Sequence, residues 1–148
     1  MKFTCEKYLL SLAVATAGRA AASKSPIPAM EGLLIEAGHN VRVTGYDLKK
    51  GIYTTFEADV SAPGSVVINA KLFGDIVRKL PDDMVTISVD SELQVSIKGG
   101  GSSFKITAMD AEDYPELPDV NAGKGVQMPQ SALREMIGGA IFSVSENQ

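Results

Sequence analysis

The chain has 148 residues, 45% of them hydrophobic and 22% charged, which is typical of a globular domain with its own core. No apolar run approaches the roughly 20 residues of a membrane-spanning helix, and the single cysteine, Cys5, excludes an internal disulfide. We therefore expect a cytoplasmic protein without a membrane partner, and its net charge of −4 taken alone argues against a nucleic-acid partner.

The first 63 residues predict one β-α-β-β-β unit. Alternation of apolar and polar side chains predicts a strand at residues 1–5, and an alanine-rich helix follows over residues 6–22. Serines and prolines then interrupt the helix, because proline cannot continue it. Three further strands, separated by turns rich in glycine, asparagine and aspartate, are predicted at residues 31–37, 41–46 and 52–60.

A second unit repeats this plan roughly 60 to 65 residues later. Residues 65–69 alternate as a strand does, and residues 70–80 have apolar side chains at three- and four-residue spacing until Pro81 ends the helix. The repetition indicates an internal duplication, with units 1–63 and 64–120 forming one domain. The remaining strands of the second unit are predicted at residues 84–90, 93–99 and 102–109.

The rest of the chain differs in composition. Residues 110–124 are rich in acidic side chains and contain two prolines, which predicts a linker. A strand at residues 126–130 and a helix at residues 131–140 then restart the plan, so residues 121–148 are interpreted as linker and truncated start of a second domain. Because that strand has no sheet to join, we expect residues 126–148 to be poorly anchored or to pack on another copy.

The predicted fold is an α+β domain with pseudo-twofold symmetry. Each helix must bury its apolar side, and the economical arrangement places both helices side by side on one face of an outer antiparallel sheet. Residues 6–24 and 70–80 each carry three basic side chains against one acidic side chain, so this arrangement gathers positive charge on one surface. The apolar sides carry Tyr8, Leu9 and Leu12 in the first helix and Phe73, Ile76 and Val77 in the second.

No motif for catalysis is recognisable in the sequence. Asp110, Glu112 and Asp113 form an acidic run, but they lack the spacing of a calcium loop. The glycines at 99–101 lie between two predicted strands and indicate a hairpin, not a phosphate loop. His39 is the one histidine, so neither a metal cluster nor a catalytic triad has support. We therefore expect a non-catalytic protein without a metal or cofactor.

Six segments of the chain carry a family resemblance. In order and spacing, the first five resemble the first domain of the bacterial DNA polymerase III β subunit, the sliding clamp, and the sixth resembles the start of that family's second domain. The family's chain is much longer, with three such domains, so we interpret this chain as a fragment. The segments are MKFTCEKYLL, IPAMEGLLIEA, VTGYDL, VVINAKLFGDIVRKLP, FKITAMDAEDYPELP and VQMPQSALREMIGGAIFSVSENQ.

The resemblance implies a DNA-replication processivity factor. In this family a full-length head-to-tail dimer would form a ring of six similar domains around double-stranded DNA, without sequence specificity. Helices would line the central hole, and sheets would form the outside. The polymerase and the clamp loader would bind a cleft between the second and third domains, which this chain lacks.

The resemblance also implies roles for individual residues. Lys24, Lys71 and Arg78 match DNA-contacting basic positions, and the charge of the helical regions adds Lys7, Arg19 and Lys79 to the candidate DNA-binding residues. The surface that meets the third domain of the other protomer would carry Leu72, Ile76, Phe104 and Ile106.

Two other functions stay open at this point. The acidic cluster from Asp110 to Asp113 would serve a metal-dependent hydrolase or nuclease, and the chain would otherwise be a protein-binding module without a role on DNA. Metal-dependent cleavage would favour the first function, and salt-independent capture of a protein would favour the second. Weak, salt-dependent contact with duplex DNA would favour the clamp.

Overall fold

The computed structural model describes residues 1–81, 83–118 and 126–144 of the chain. The chain divides into two units, Met1–Leu117 and Pro118–Gln148. Within the described residues, all nine strands and two of the three α-helices belong to the first unit. None of these helices is long and apolar enough to cross a membrane.

The first unit follows the duplicated order that the sequence predicts, except that its first half has one strand more than the predicted β-α-β-β-β plan. Its first half comprises β1 (Lys2–Glu6), α1 (Lys7–Ala17), a 3₁₀ turn (Pro28–Glu31), β2 (Gly32–Ala37), β3 (Val41–Tyr46), β4 (Gly51–Phe56) and β5 (Asp59–Ala62). Its second half comprises β6 (Gly64–Asn69), α2 (Ala70–Lys79), β7 (Met84–Val89), β8 (Gln94–Gly99), β9 (Ser102–Thr107) and a 3₁₀ turn (Ala111–Asp113).

The sheet layer consists of two antiparallel sheets rather than one. The first has the order β5-β1-β7-β8-β9, and the second has the order β4-β3-β2-β6. Each half gives its first strand to the sheet of the other half, since β1 pairs with β7 and β6 pairs with β2. The last segment of each half also pairs with the first strand of that half: β5 pairs with β1, and Met109, just after β9, bridges to Val67 of β6. This reciprocal exchange gives the domain its pseudo-twofold symmetry.

The two helices pack against each other, so their predicted side-by-side placement is confirmed. Gly45 of β3 lies beneath the end of α1, where an added Cβ atom would come within 2.0 Å of the Ala17 carbonyl oxygen. Only glycine permits this approach of helix to strand. At Gly74 of α2 an added Cβ atom would lie 3.7 Å from a Val14 methyl carbon, which is an ordinary contact distance. The missing side chain of Gly45 therefore allows the close packing of α1 on β3.

The core takes side chains from both helices and both sheets, and the two helices differ in how well their buried sides are predicted. In α2 the prediction is correct, with Phe73, Ile76 and Val77 buried. In α1 it is wrong for Tyr8 and Leu12, which are 68% and 53% exposed. Because α1 has apolar side chains on all sides, its periodicity does not predict which side is buried. The side with small residues is buried, since small side chains let the helix pack most closely on its neighbours. The buried residues of α1 are Leu10, Ala13, Val14 and Ala17.

Two element boundaries differ from the prediction. Helix α1 ends at Ala17 instead of residue 22, because the chain turns there and the Ala22 amide donates to the Met30 carbonyl oxygen at 2.9 Å. The single strand predicted at residues 52–60 is two strands that join different sheets, since β4 pairs with β3 whereas β5 pairs with β1. The break between β4 and β5 carries the chain from one sheet to the other.

The second unit contains α3 (Gln130–Ala140) and a 3₁₀ turn (Ile141–Ser143). The predicted helix is confirmed, but residues 126–129 form no strand. No side chain of α3 is buried. Residues 119–125 and 145–148, which hold parts of the predicted linker and domain start, lie outside the described residues. The division into domains 1–120 and 121–148 and the weak anchoring of residues 126–148 stay predictions.

We predict that Phe73→Ala lowers the free energy of unfolding by about 3–5 kcal/mol, because it removes a fully buried ring from α2 and leaves a cavity. Leu72→Ala, one residue away and exposed, is the matched control and should change the same quantity by less than about 1 kcal/mol. Urea denaturation measures both values. Equal losses for the two variants would contradict the placement of Phe73 in the core.

Candidate nucleic-acid interface

Helix α2 carries basic side chains at positions that its own capping fixes. Asn69 caps the N-terminus, with its Oδ1 atom accepting a hydrogen bond from the Leu72 amide at 3.0 Å. Arg78 and Lys79 lie in the last turn, where positive charge interacts favourably with the helix dipole, and Pro81 follows the end of the helix. The ends of α2 are therefore defined locally, and its cations stand at known places on the surface.

A groove of about 740 Å³ runs between α1 and α2. Three exposed basic side chains, Arg19, Lys71 and Arg78, line it. One carboxylate, that of Glu31, also lines the groove, but it already accepts a hydrogen bond from the Ser25 amide at 3.0 Å. Such a groove is suited to a sugar–phosphate backbone, because its positive charge attracts phosphates, and contacts to phosphates do not depend on the base sequence. The small residues of its lining include Ser11, Ala15, Gly18, Ala22, Ala70 and Gly74.

Arg78 also forms an ion pair with Asp75, three residues earlier on α2. The arginine side chain is 68% exposed, so this pair contributes little stability and leaves the guanidinium in contact with solvent. A phosphate can therefore reach the guanidinium, whose planar set of N–H donors matches phosphate oxygens.

The other three candidate cations lie outside the lining of the groove. Lys24 and Lys79 are exposed, in the loop after α1 and at the end of α2. Lys7 is half-buried at the first position of α1, and its amide donates to the Asp83 carbonyl oxygen at 3.0 Å. The structure thus brings together Arg19, Lys71 and Arg78 of the six candidates.

The four candidate interface residues do not share one environment. Leu72 of α2 is 45% exposed, and Phe104 and Ile106 are half-buried on β9. Strand β9 is an edge strand, since it pairs with β8 on one side only among the described strands. Ile76 is only 7% exposed and belongs to the core, so its side chain offers a partner little surface.

The acidic cluster has a local structural role. The Oδ1 atom of Asp110 accepts a hydrogen bond from the Glu112 amide at 3.0 Å and caps the 3₁₀ turn that follows. In the described part of the chain, no three His, Cys, Asp or Glu side chains are grouped so as to hold a metal ion. This geometry does not favour the metal-dependent hydrolase.

The charge pattern of the sequence predicts the basic residues of the groove but not its small residues. Gly74 was the available signal, because a glycine inside a helix costs about 1 kcal/mol relative to alanine and indicates a packing or binding constraint. Ser11 and Ala15 gave no comparable signal, since small residues are common on every side of α1.

A duplicated domain with two sheets and two adjacent helices, whose basic groove runs between the helices, has the architecture of a DNA clamp. The model of the DNA polymerase III beta subunit, N-terminal domain, matches residues 1–118. The chain belongs to this family, and the resemblance seen in the sequence is confirmed.

Individual relatives agree with this assignment. The beta sliding clamps of Synechocystis sp. and Bacillus subtilis are 33% and 32% identical to the chain over its full length, which is 40% and 42% of theirs. The crystal structure of the Bacillus subtilis sliding clamp has a TM-score of 0.93 at 31% identity, covering 100% of this chain and 41% of that one. The beta subunit from Thermotoga maritima gives 0.89 at 28% identity, covering 99% and 40%. The chain thus spans about two fifths of the length of these relatives.

We predict that Cys5 does not react as a nucleophile in the folded protein. Burial, with a smaller contribution from the charge of Glu6, raises the pKa of its thiol to about 12, so very little reactive thiolate is present at neutral pH. Labelling with Ellman's reagent at pH 8 should be slow in buffer and immediate in 6 M guanidinium chloride. Fast labelling under both conditions would contradict the burial of Cys5.

Proposed function

We propose that this chain is the first domain of a processivity clamp that tethers the replicative polymerase to duplex DNA without reading sequence. The observation that supports the proposal most directly is the groove between α1 and α2, where Arg19, Lys71 and Arg78 converge. Relatives that carry the name beta sliding clamp support the same role. Lys7, Lys24 and Lys79 are proposed to add positive charge outside the groove.

The weakness of such a contact suits a mobile tether. A few exposed cations give sequence-independent binding with a Kd of roughly 10⁻⁴–10⁻⁶ M, and this binding falls steeply with salt. Because phosphates recur at every step of the duplex, one position on the DNA is equivalent to the next. Retention then has to come from enclosure of the DNA by a ring, and no catalytic residue is required.

Closure of the ring is proposed to use β9, one of the two edge strands of the five-stranded sheet. The unpaired side of β9 can accept a strand from another protomer in a head-to-tail dimer. Leu72, Phe104 and Ile106 supply apolar surface for this contact, whereas Ile76 supports it from the core. Polymerase and clamp loader are proposed to bind a cleft built by domains beyond this chain, in the cytoplasm.

We predict that Lys71→Ala with Arg78→Ala weakens binding of the chain to a fluorescein-labelled duplex. Removing two phosphate contacts should reduce the slope of log K against log salt concentration by about 2. Fluorescence anisotropy between 20 and 200 mM NaCl, on two duplexes of unrelated sequence, measures this slope. The two duplexes should give the same affinity, because phosphates carry no sequence information.

The matched control is Lys98→Ala with Lys105→Ala, which removes two exposed lysines from β8 and β9. This variant has the same net charge as the groove variant, so it separates local contact from overall charge. Equal loss in both variants would mean that binding follows net charge and not the groove between α1 and α2.

We predict that Leu72→Lys in a clamp whose first domain is this chain shortens its half-life on nicked circular DNA about tenfold. A charged group at a protomer contact must lose its hydration without gaining a partner. Leu48→Lys, at another exposed leucine (57% against 45% for Leu72) in the turn after β3, should leave the half-life unchanged. An unchanged half-life for Leu72→Lys would remove Leu72 from the proposed interface.

A further inference from the structure

A second cavity, of about 540 Å³, lies on the side of the four-stranded sheet that faces away from the main core. Alternate residues of β2 and β3 form its floor, and residues 111–117 form its wall. Tyr114 fixes this wall, since its ring is buried and its hydroxyl donates to the Thr44 carbonyl oxygen at 3.3 Å. The cavity is therefore part of the folded first unit, and its volume is in the range of ligand pockets.

The cavity holds more negative than positive charge. Glu36, Glu112 and Glu116 line it, with Arg42 as the one basic residue of the lining. Arg42 stands opposite Glu36 in the pairing of β2 with β3, but its guanidinium lies over the Tyr53 ring, 4.1 Å from the centroid. Among the described residues, none of the three carboxylates has an ion-pair partner. The cavity thus presents unpaired negative charge.

Thr44 provides an independent observation that points to a ligand. Apart from the tyrosines Tyr46 and Tyr114, it is the one polar residue among the buried residues of the described chain, 3% exposed, and it lines the cavity floor. Its carbonyl oxygen bonds to Tyr114, but its hydroxyl has no hydrogen-bond partner among the described residues. Since no buried side-chain oxygen or nitrogen of the described residues lacks a hydrogen-bond partner, the Thr44 hydroxyl is open to the cavity, where a polar group can bond to it.

We propose that this cavity binds an arginine or lysine side chain on a peptide segment of a partner protein. The carboxylates receive the cationic head, while Leu34, Pro115 and Leu117 contact the aliphatic stem. The Thr44 hydroxyl accepts a hydrogen bond from the peptide. Nucleic acid is excluded by repulsion between phosphates and carboxylates, so this site is independent of the groove between α1 and α2.

The test uses two tripeptides that differ in one charge. Acetyl-leucyl-arginyl-leucine amide is titrated into the ¹⁵N-labelled chain, and the same peptide with citrulline is the neutral match. The arginine peptide should shift the amide signals of Glu36, Thr44 and Tyr114, and the citrulline peptide at equal concentration should not. Equal shifts from both peptides would overturn the proposal, as would equal shifts from spermidine, which would show attraction of any cation.

Variants test the carboxylates directly. Glu36→Gln with Glu116→Gln should weaken the arginine peptide about fivefold, because two partly exposed charge contacts are lost. Glu57→Gln with Glu92→Gln removes the same charge from exposed positions elsewhere and should leave the affinity unchanged. Equal weakening by both pairs would overturn the assignment of the site. If the first pair unfolds, the comparison of arginine with citrulline in the unchanged chain decides alone.

Discussion

The close packing of α1 against α2 is the constraint on which the rest of the structure depends. Gly45 lets α1 lie directly on β3, because a Cβ atom there would come within 2.0 Å of the Ala17 carbonyl oxygen. This approach brings the chain that leaves α1 close to Lys71 and Arg78 of α2. With it, Arg19 joins Lys71 and Arg78 in one groove. The packing of α1 thus brings the positive charges of the domain together.

Strand exchange between the two halves holds this helix pair in place. Because β1 belongs to the sheet of the second half and β6 to that of the first, neither half can complete its sheet alone. Contacts between residues far apart in sequence therefore stabilise both helices. Strand β9 remains an edge strand of the five-stranded sheet.

Charge is separated between the two sides of the fold. The helix pair presents exposed cations, whereas the far side of the four-stranded sheet holds the unpaired carboxylates of Glu36, Glu112 and Glu116. A net charge of −4 is therefore compatible with DNA on one side and a basic peptide on the other.

How much the sequence predicts depends on how strongly each element is patterned. Helix α2 has one apolar side, so Phe73 was correctly placed in the core. Helix α1 is apolar on all sides, so Tyr8 was placed wrongly, and only its tertiary contacts decide which side is buried. Two features depend on pairing between distant segments, which local alternation cannot reveal. Strands β4 and β5 join different sheets, and β1 and β6 each join the sheet of the other half. The sequence pattern does not predict the outer cavity, because Thr44 and Glu116 line one cavity only after the chain returns across the sheet.

The most direct test of the central claim is a map of where duplex DNA touches the chain. Amide signals of the ¹⁵N-labelled chain, recorded with an unlabelled 12-base-pair duplex, provide that map. We expect shifts at Ser11, Arg19, Lys71 and Arg78 along the groove and none on the outward sides of the two sheets. Shifts confined to the sheets, or on only one of the two helices, would contradict a DNA-binding surface shared by α1 and α2.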